Sequence, residues 1–187
     1  MIDQFFSRDT IPATPWKNGG GVTREILRSP EGMPYRRFSI ADVDREGPFS
    51  KFEGLQRILT VTKGQGMVLS GNDGKKDALR LNPVRFSGNE DIFGNLPFGP
   101  IQDFNIIYDG TLVDAHALTG AIEDFSLEER GSGPLNVIYC ISGELRAHDD
   151  RPLRPHEGII NPKSIPKAAT SGSTVLWIQS WLTQKAS

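Results

Sequence analysis

The sequence predicts an all-β fold. Apolar and polar residues alternate with period two along much of the 187-residue chain. No segment keeps a 3.6-residue period for more than about two turns. The apolar runs are separated by Gly-, Asn-, Asp- and Pro-rich turns, supplied by 20 glycines and 13 prolines. In order, strands are expected over 22–28, 36–43, 57–63, 66–70, 78–81, 103–108, 111–117, 121–127, 136–142, 144–148, 158–160 and 174–182. Val22-Thr23-Arg24-Glu25-Ile26 opens the series with β-branched residues and no helix N-cap. Lys63-Gly64-Gln65-Gly66, Asn72-Asp73-Gly74-Lys75 and Ser142-Gly143-Glu144 are the turns with the clearest chemistry. On the strand at 103–108, Asp103, Asn105 and Ile107 share a face, and on the last strand Trp177, Gln179 and Trp181 do.

The chain also repeats itself. Arg57-Ile58-Leu59-Thr60-Val61-Thr62-Lys63-Gly64 matches Asn136-Val137-Ile138-Tyr139-Cys140-Ile141-Ser142-Gly143, and Leu79-Arg80-Leu81 echoes Leu153-Arg154-Pro155. A β-run, a glycine turn, a second β-run, a loop and a long closing strand form the pattern of a cupin barrel, present here twice. The expected architecture is therefore a bicupin: two packed jelly-roll-like barrels, over residues 1–110 and 111–187, with no flexible linker.

Composition excludes several classes. The net charge is −2 with no long run of either sign, whereas nucleic acid and anionic membranes both require a concentrated basic face. The first residues lack the basic and apolar regions of a signal peptide, and nothing approaches the ~18 apolar residues of a membrane span. One cysteine excludes an internal disulfide and suits a reducing compartment, so a cytoplasmic protein is expected. Cys140 lies in an apolar strand with no neighbouring base and reads as an inert thiol.

Pro15-Trp16-Lys17-Asn18-Gly19-Gly20-Gly21-Val22 carries the most chemical information. Three glycines let another group approach main-chain donors closely, beside an aromatic plate, a cation and an amide. These are the parts of a site for a small anion, although a tight turn beside a solvated lysine uses the same residues. A phosphate-binding loop is rejected, because the lysine precedes the glycines and no helix follows. Metal ligation is also rejected. The three histidines, His116, His148 and His156, lack the close pairing that a cupin metal site needs.

Taken together, the chain resembles the HutD/Ves family of bacterial proteins over nearly its whole length. The resemblance rests on Pro15–Ile26, on Phe38-Ser39-Ile40-Ala41-Asp42-Val43, on Gly47-Pro48-Phe49-Ser50 with Arg57, and on Phe86-Ser87-Gly88 with Asp103-Phe104-Asn105. It implies a metal-free bicupin, needing no cofactor, that senses or buffers an intermediate of histidine utilisation such as N-formylglutamate. Two stretches depart. Arg36-Arg37 replace a tryptophan-basic pair, and Ile106-Ile107-Tyr108-Asp109 replace a stretch usually carrying methionine and basic residues. A lost aromatic wall or cation there would alter the ligand or its affinity.

The expected ligand-binding residues are Trp16, Lys17, Asn18, Gly19, Gly20, Gly21, Thr23, Arg57 and Asn105, and the partner is a small carboxylate. Arg57 would grip it with its planar fork, Lys17 would add charge, and Asn18, Asn105 and the glycine amides would orient it. A solvated Arg57 and a satisfied core Asn105 are the structural alternatives. Ser39 could add a hydroxyl, and Phe49, Phe86 and Phe104 read as core. A second reading is a metal-independent isomerase, epimerase or hydrolase acting on a small carboxylated or sugar-like substrate, with Asp103 or Glu25 as base. A third assigns the work to an oligomer or partner surface. A homodimer through strand edges or faces is compatible with the sequence, though no residue specifies it.

Overall fold

The computed structural model describes residues 3–126 and 132–183. The first two residues of the expected N-terminal barrel and the last four of the C-terminal one lie outside them. The strands run β1 (Gln4–Ser7), β2 (Thr14–Pro15), β3 (Gly21–Arg28), β4 (Arg36–Val43), β5 (Gly47–Pro48), β6 (Gln56–Lys63), β7 (Gly66–Gly71), β8 (Gly74–Leu79) and β9 (Val84–Ser87). They continue as β10 (Phe93–Asn95), β11 (Ile101–Tyr108), β12 (Val113–Ala121), β13 (Ser132–Ser142), β14 (Leu145–Arg146), β15 (Pro152–Leu153), β16 (Glu157–Ile160), β17 (Lys167–Ala168) and β18 (Thr174–Leu182). The helices among the described residues are two 3-10 turns, Arg8–Thr10 and Ile122–Asp124.

The chain forms two compact units, Pro12–Val113 and a second built from Met1–Ile11 with Asp114–Ser187. The sequence reading places its boundary at 110/111. In the structure the N-terminal strand β1 pairs antiparallel with β16, Gln4 opposite Ile160, and so joins the C-terminal half. Within Pro12–Val113, a six-stranded sheet ordered β2-β3-β4-β11-β6-β9 accompanies a four-stranded sheet ordered β5-β10-β7-β8. The second unit has a five-stranded sheet, β1-β16-β13-β18-β12, and a three-stranded sheet, β15-β14-β17. Neither unit closes into a continuous hydrogen-bonded barrel. Each is an open jelly roll of two sheets with an apolar core between them.

In the first unit that core joins Ala41, Val43, Leu59, Val61 and Ile101 of one sheet to Met67, Leu69 and Ala78 of the other. In the second it joins Ile138, Cys140, Ile159, Val175 and Trp177 to Leu145 and Leu153. Each fully buried large apolar side chain contributes about 1.5–3 kcal/mol.

The repeat is visible in the geometry. Gly64 (φ +89°) and Gly143 (φ +81°) turn the chain after matching strands. A Cβ at Gly64 would lie 2.9 Å from the Pro100 carbonyl, and one at Gly143 2.4 Å from Ser173 Oγ, so only glycine fits either turn. Further along, Leu81 (φ +64°) and His156 (φ +75°) both take left-handed backbone. Leu81 N–H donates to the Val61 carbonyl (2.9 Å), and His156 N–H to the Cys140 carbonyl (3.1 Å).

Four expected strands differ from the observed ones. The Gly71–Gly74 hairpin pairs β8 with β7 from residue 74, so the chain is leaving the sheet where a strand at 78–81 was expected. The strands expected at 111–117 and 121–127 are instead one strand, β12, followed by the 3-10 turn, and residue 127 lies outside the described region. The strand expected at 144–148 shortens to β14 because Ala147 N–H bonds back to the Arg151 carbonyl (2.9 Å).

Candidate functional site

A cavity of about 720 Å³ opens within the Pro12–Val113 unit. Its floor is the inner face of four adjacent strands, and their pairing lays the side chains out in three rows. Thr23, Ala41, Asp103 and Val61 form the first; Glu25, Ser39, Asn105 and Leu59 the second; Arg28, Arg37, Ile107 and Arg57 the third. Glu25 and Arg28 should face opposite sides of a regular strand. A β-bulge between Glu25 and Leu27 shifts the parity and brings both onto the cavity face.

The walls come from two loops. Pro15, Trp16, Lys17 and Asn18 line one side, and Pro48, Phe49, Ser50 and Phe52 the other. Trp16 is held by its indole N–H, which donates to Thr23 Oγ1 (2.8 Å), and by an edge-on contact with Phe49, 6.5 Å between ring centres.

Arg57 is the central cation, only 6% exposed. Its guanidinium carbon lies 5.3 Å from the Phe49 ring centre, 5.2 Å from Phe52 and 4.7 Å from Phe86, an aromatic cage on a desolvated charge. Nη2 donates to Asn105 Oδ1 (2.9 Å) and Nη1 to the Ser50 carbonyl (3.3 Å). Two bonds leave the fork with further N–H groups for a ligand. Burial lowers Arg57 to about 10, opposed by the nearby Asp103 charge and assisted by Arg37, so it remains cationic at neutral pH.

Asn105 relays this charge inward: its Nδ2 donates to Asp103 Oδ1. Asp103 is 1% exposed, and its Oδ2 is buried with no hydrogen-bond partner among the described residues. Burial pushes its carboxyl up to about 7; Arg57 pulls it down, and Asp42 adds to the rise. Nearer the rim, Glu25 bridges Arg28 (2.5 Å) and Arg37 (2.7 Å), and those bonds hold its carboxyl below the usual range. Four lining cations, Lys17, Arg28, Arg37 and Arg57, therefore meet two lining carboxyls, Glu25 and Asp103. Such a balance favours an anionic guest.

Of the residues expected from the sequence, Trp16, Lys17, Asn18, Thr23, Arg57 and Asn105 all line this cavity. Gly19, Gly20 and Gly21 do not, and the donor role expected of them is corrected here. Gly19 N–H bonds the Trp16 carbonyl (3.0 Å), and Gly20 N–H bonds Asn18 Oδ1 (3.0 Å). Gly21 sits where a Cβ would strike the Asp42 carbonyl at 2.2 Å. The triglycine thus shapes the turn that presents Trp16, Lys17 and Asn18. Lys17 is exposed at the rim. Phe49, expected as core, lines the cavity as well, while Phe86 and Phe104 are buried as expected.

The expectation of individual site residues omitted Arg28, Arg37 and Phe52. Arg37 shares strand parity with Ser39 and Ala41, so alternation carried a signal for it; the bulge and the loop carried none. The histidines stand in separate places: His116 beside Asp114 (3.8 Å), His148 beside Asp3 (2.8 Å) and His156 beside Tyr139 (3.2 Å). Among the described residues no group of three or more His, Cys, Asp or Glu is placed to hold a metal ion. Cys140 is buried, and that burial pushes its thiol up to about 12. No helix among the described residues is long and apolar enough to cross a membrane.

Comparison with known proteins agrees with this architecture. The HutD family model matches residues 8–175. An uncharacterised 21.2 kDa protein from the hutC 3' region of Pseudomonas putida is 43% identical over 109 residues, spanning 56% of this chain and 57% of that protein. Protein Ves of Escherichia fergusonii is 33% identical over 144 residues, spanning 75% of this chain and 73% of that protein. Among solved structures, HutD from Pseudomonas fluorescens SBW25, determined in a formate condition, superposes with TM-score 0.75 at 27% identity, covering 98% of this chain and 100% of that one. A cupin 2 conserved barrel domain protein from Leptotrichia buccalis, 12% identical with TM-score 0.57 over 96% of each chain, shares the fold.

Proposed function

The chain belongs to the HutD family of cupin-fold proteins linked to histidine utilisation, and we propose that its Pro12–Val113 unit binds a small carboxylate metabolite of that degradation, N-formylglutamate being the leading candidate. The observation that carries this reading is the caged Arg57. A guanidinium stripped of water, packed among three rings and bonded to Asn105, gains most from an anion that can satisfy its remaining donors. Trp16 supplies a flat wall and Lys17 a second positive charge at the rim, which suits a dicarboxylate. The protein acts as a cytoplasmic sensor or buffer of the metabolite rather than as a catalyst.

A second reading, a metal-independent acid–base enzyme, is favoured by one observation: Asp103 is raised to about 7, the range of a general base at neutral pH. Its poorly accessible oxygens argue against that role. Calorimetric titration with N-formyl-L-glutamate, beside formiminoglutamate, urocanate, histidine and glutamate, separates the two. Saturable binding that Arg57→Ala loses, with the ligand recovered unchanged, is the expected result. Conversion of the ligand would establish the enzyme, and no heat with any of the five would overturn the histidine-pathway reading.

A further inference from the structure

The chain of hydrogen bonds Arg57–Asn105–Asp103 has an inner end that anion binding alone does not require. Asp103 is on the cavity lining yet almost wholly buried. One of its oxygens has a single amide donor, and the other has none among the described residues. An ionised carboxylate accepts about four hydrogen bonds when well solvated, so this one depends on charge for support. The charged groups that line the cavity with it are Lys17 from the turn after β2, Glu25 and Arg28 from β3, Arg37 from β4 and Arg57 from β6, and Asp42, on the far face of β4, also acts on it. Arg28 and Arg37 are both bonded to Glu25, Lys17 is at the rim, and Asp42 repels. Arg57 is thus the cation that supports an ionised Asp103.

An anion seated on Arg57 removes that support, because it neutralises the guanidinium and adds a negative charge to the same desolvated floor. We propose that the cavity takes up its carboxylate ligand together with one proton, which Asp103 holds in the complex; Asp103 is a positioning residue that ties anion affinity to pH through Asn105. This rests on the reading of Arg57 as the anion site. The balance is simple: the ligand enters as an anion, the proton comes from solvent and ends on Oδ2, and no covalent bond of the ligand changes.

The sign follows. With the carboxyl already raised to about 7 in the free protein, Asp103 is protonated below that pH and affinity is flat. Above it, each binding event must import a proton, and affinity falls by up to about tenfold per pH unit. Carboxyl groups of the ligand itself ionise near pH ~3–4 and do not contribute in this range.

The test is titration of the whole protein with N-formyl-L-glutamate at pH 6, 7 and 8, in two buffers of different ionisation heat. Expected is a buffer-dependent heat at pH 8 corresponding to proton uptake, with a Kd several-fold weaker than at pH 7. Asp103→Asn, uncharged and still able to accept from Asn105, binds with an affinity that no longer depends on pH. Saturable binding with equal heats in both buffers at every pH, or uptake that survives in Asp103→Asn, overturns this inference alone. No saturable heat overturns the anion-site reading and this inference with it. The two-buffer comparison needs only the natural chain, so it stands even if the variant does not fold.

Discussion

At the positions where the Pro12–Val113 unit places Arg57, Asn105 and Asp103, the second unit places Asn136, Trp177 and Val175. The correspondence comes from register: Leu59 pairs with Asn105 and Val61 with Asp103 on one central strand pair, Ile138 with Trp177 and Cys140 with Val175 on the other. One interior has a guanidinium, an amide and a carboxyl on the floor of an open cavity. The matching positions of the other have a buried indole and an isopropyl group within an apolar core, and Gln179 bonds Asn136 (3.3 Å) where Ile107 and Arg57 stand. The matching central strand pair thus carries a site in one unit and a filled core in the other. At these three positions the difference is one of side-chain volume and polarity.

The largest expected effect breaks the filled half. Trp177→Ala removes a side chain that is 1% exposed and leaves a void, so thermal or denaturant unfolding should show a loss of about 3–5 kcal/mol. An unchanged midpoint would mean that this interior is not tightly packed. Arg57→Ala empties the cage of the other half. Anion affinity measured by calorimetry should drop by about thirtyfold or more, the ~2 kcal/mol expected of a charged hydrogen-bonded contact.

Asp103→Asn probes the cost of the polar floor. The folded-state carboxyl is raised from 3.8 to about 7, so between these pH values the native state holds a proton that the unfolded chain has released. Stability is therefore lost as pH rises through that window. The variant escapes this loss. At pH 8 it should unfold later than the natural protein by about 1–3 kcal/mol, and the gap should narrow as pH falls towards 4. Thr23→Val is the mildest change. It removes the acceptor that holds the Trp16 indole, and a loss of about two- to fivefold in affinity, ~0.5–1 kcal/mol, is expected with little change in stability.

Much of this was legible residue by residue. The strands expected at 22–28, 36–43, 103–108 and 174–182 lie within β3, β4, β11 and β18. Gly64 and Gly143 announced the duplicated turns, and Asn105 and Arg57 announced a polar face because charged and amide groups on an apolar strand need a reason. The short strands β2, β5, β10 and β17 were not legible, since two or three residues hold no period and exist only because a neighbouring strand offers partners. The triglycine was compatible with two roles, because glycine permits both close ligand approach and tight turning; the hydrogen bonds of Gly19 and Gly20 serve the turn.

By itself, the amino-acid order determined the β class, the duplication, the family and six of the residues that line the cavity, because alternation and turn sterics act over a few neighbouring residues. Tertiary structure alone decided the rest. It placed a bulge that turns Glu25 and Arg28 to the same side, closed Phe49, Phe52 and Phe86 around Arg57, filled one interior with Trp177, and raised the Asp103 carboxyl to about 7. Each of these depends on what stands opposite a residue and how much water it loses, and both are set by segments distant in the chain.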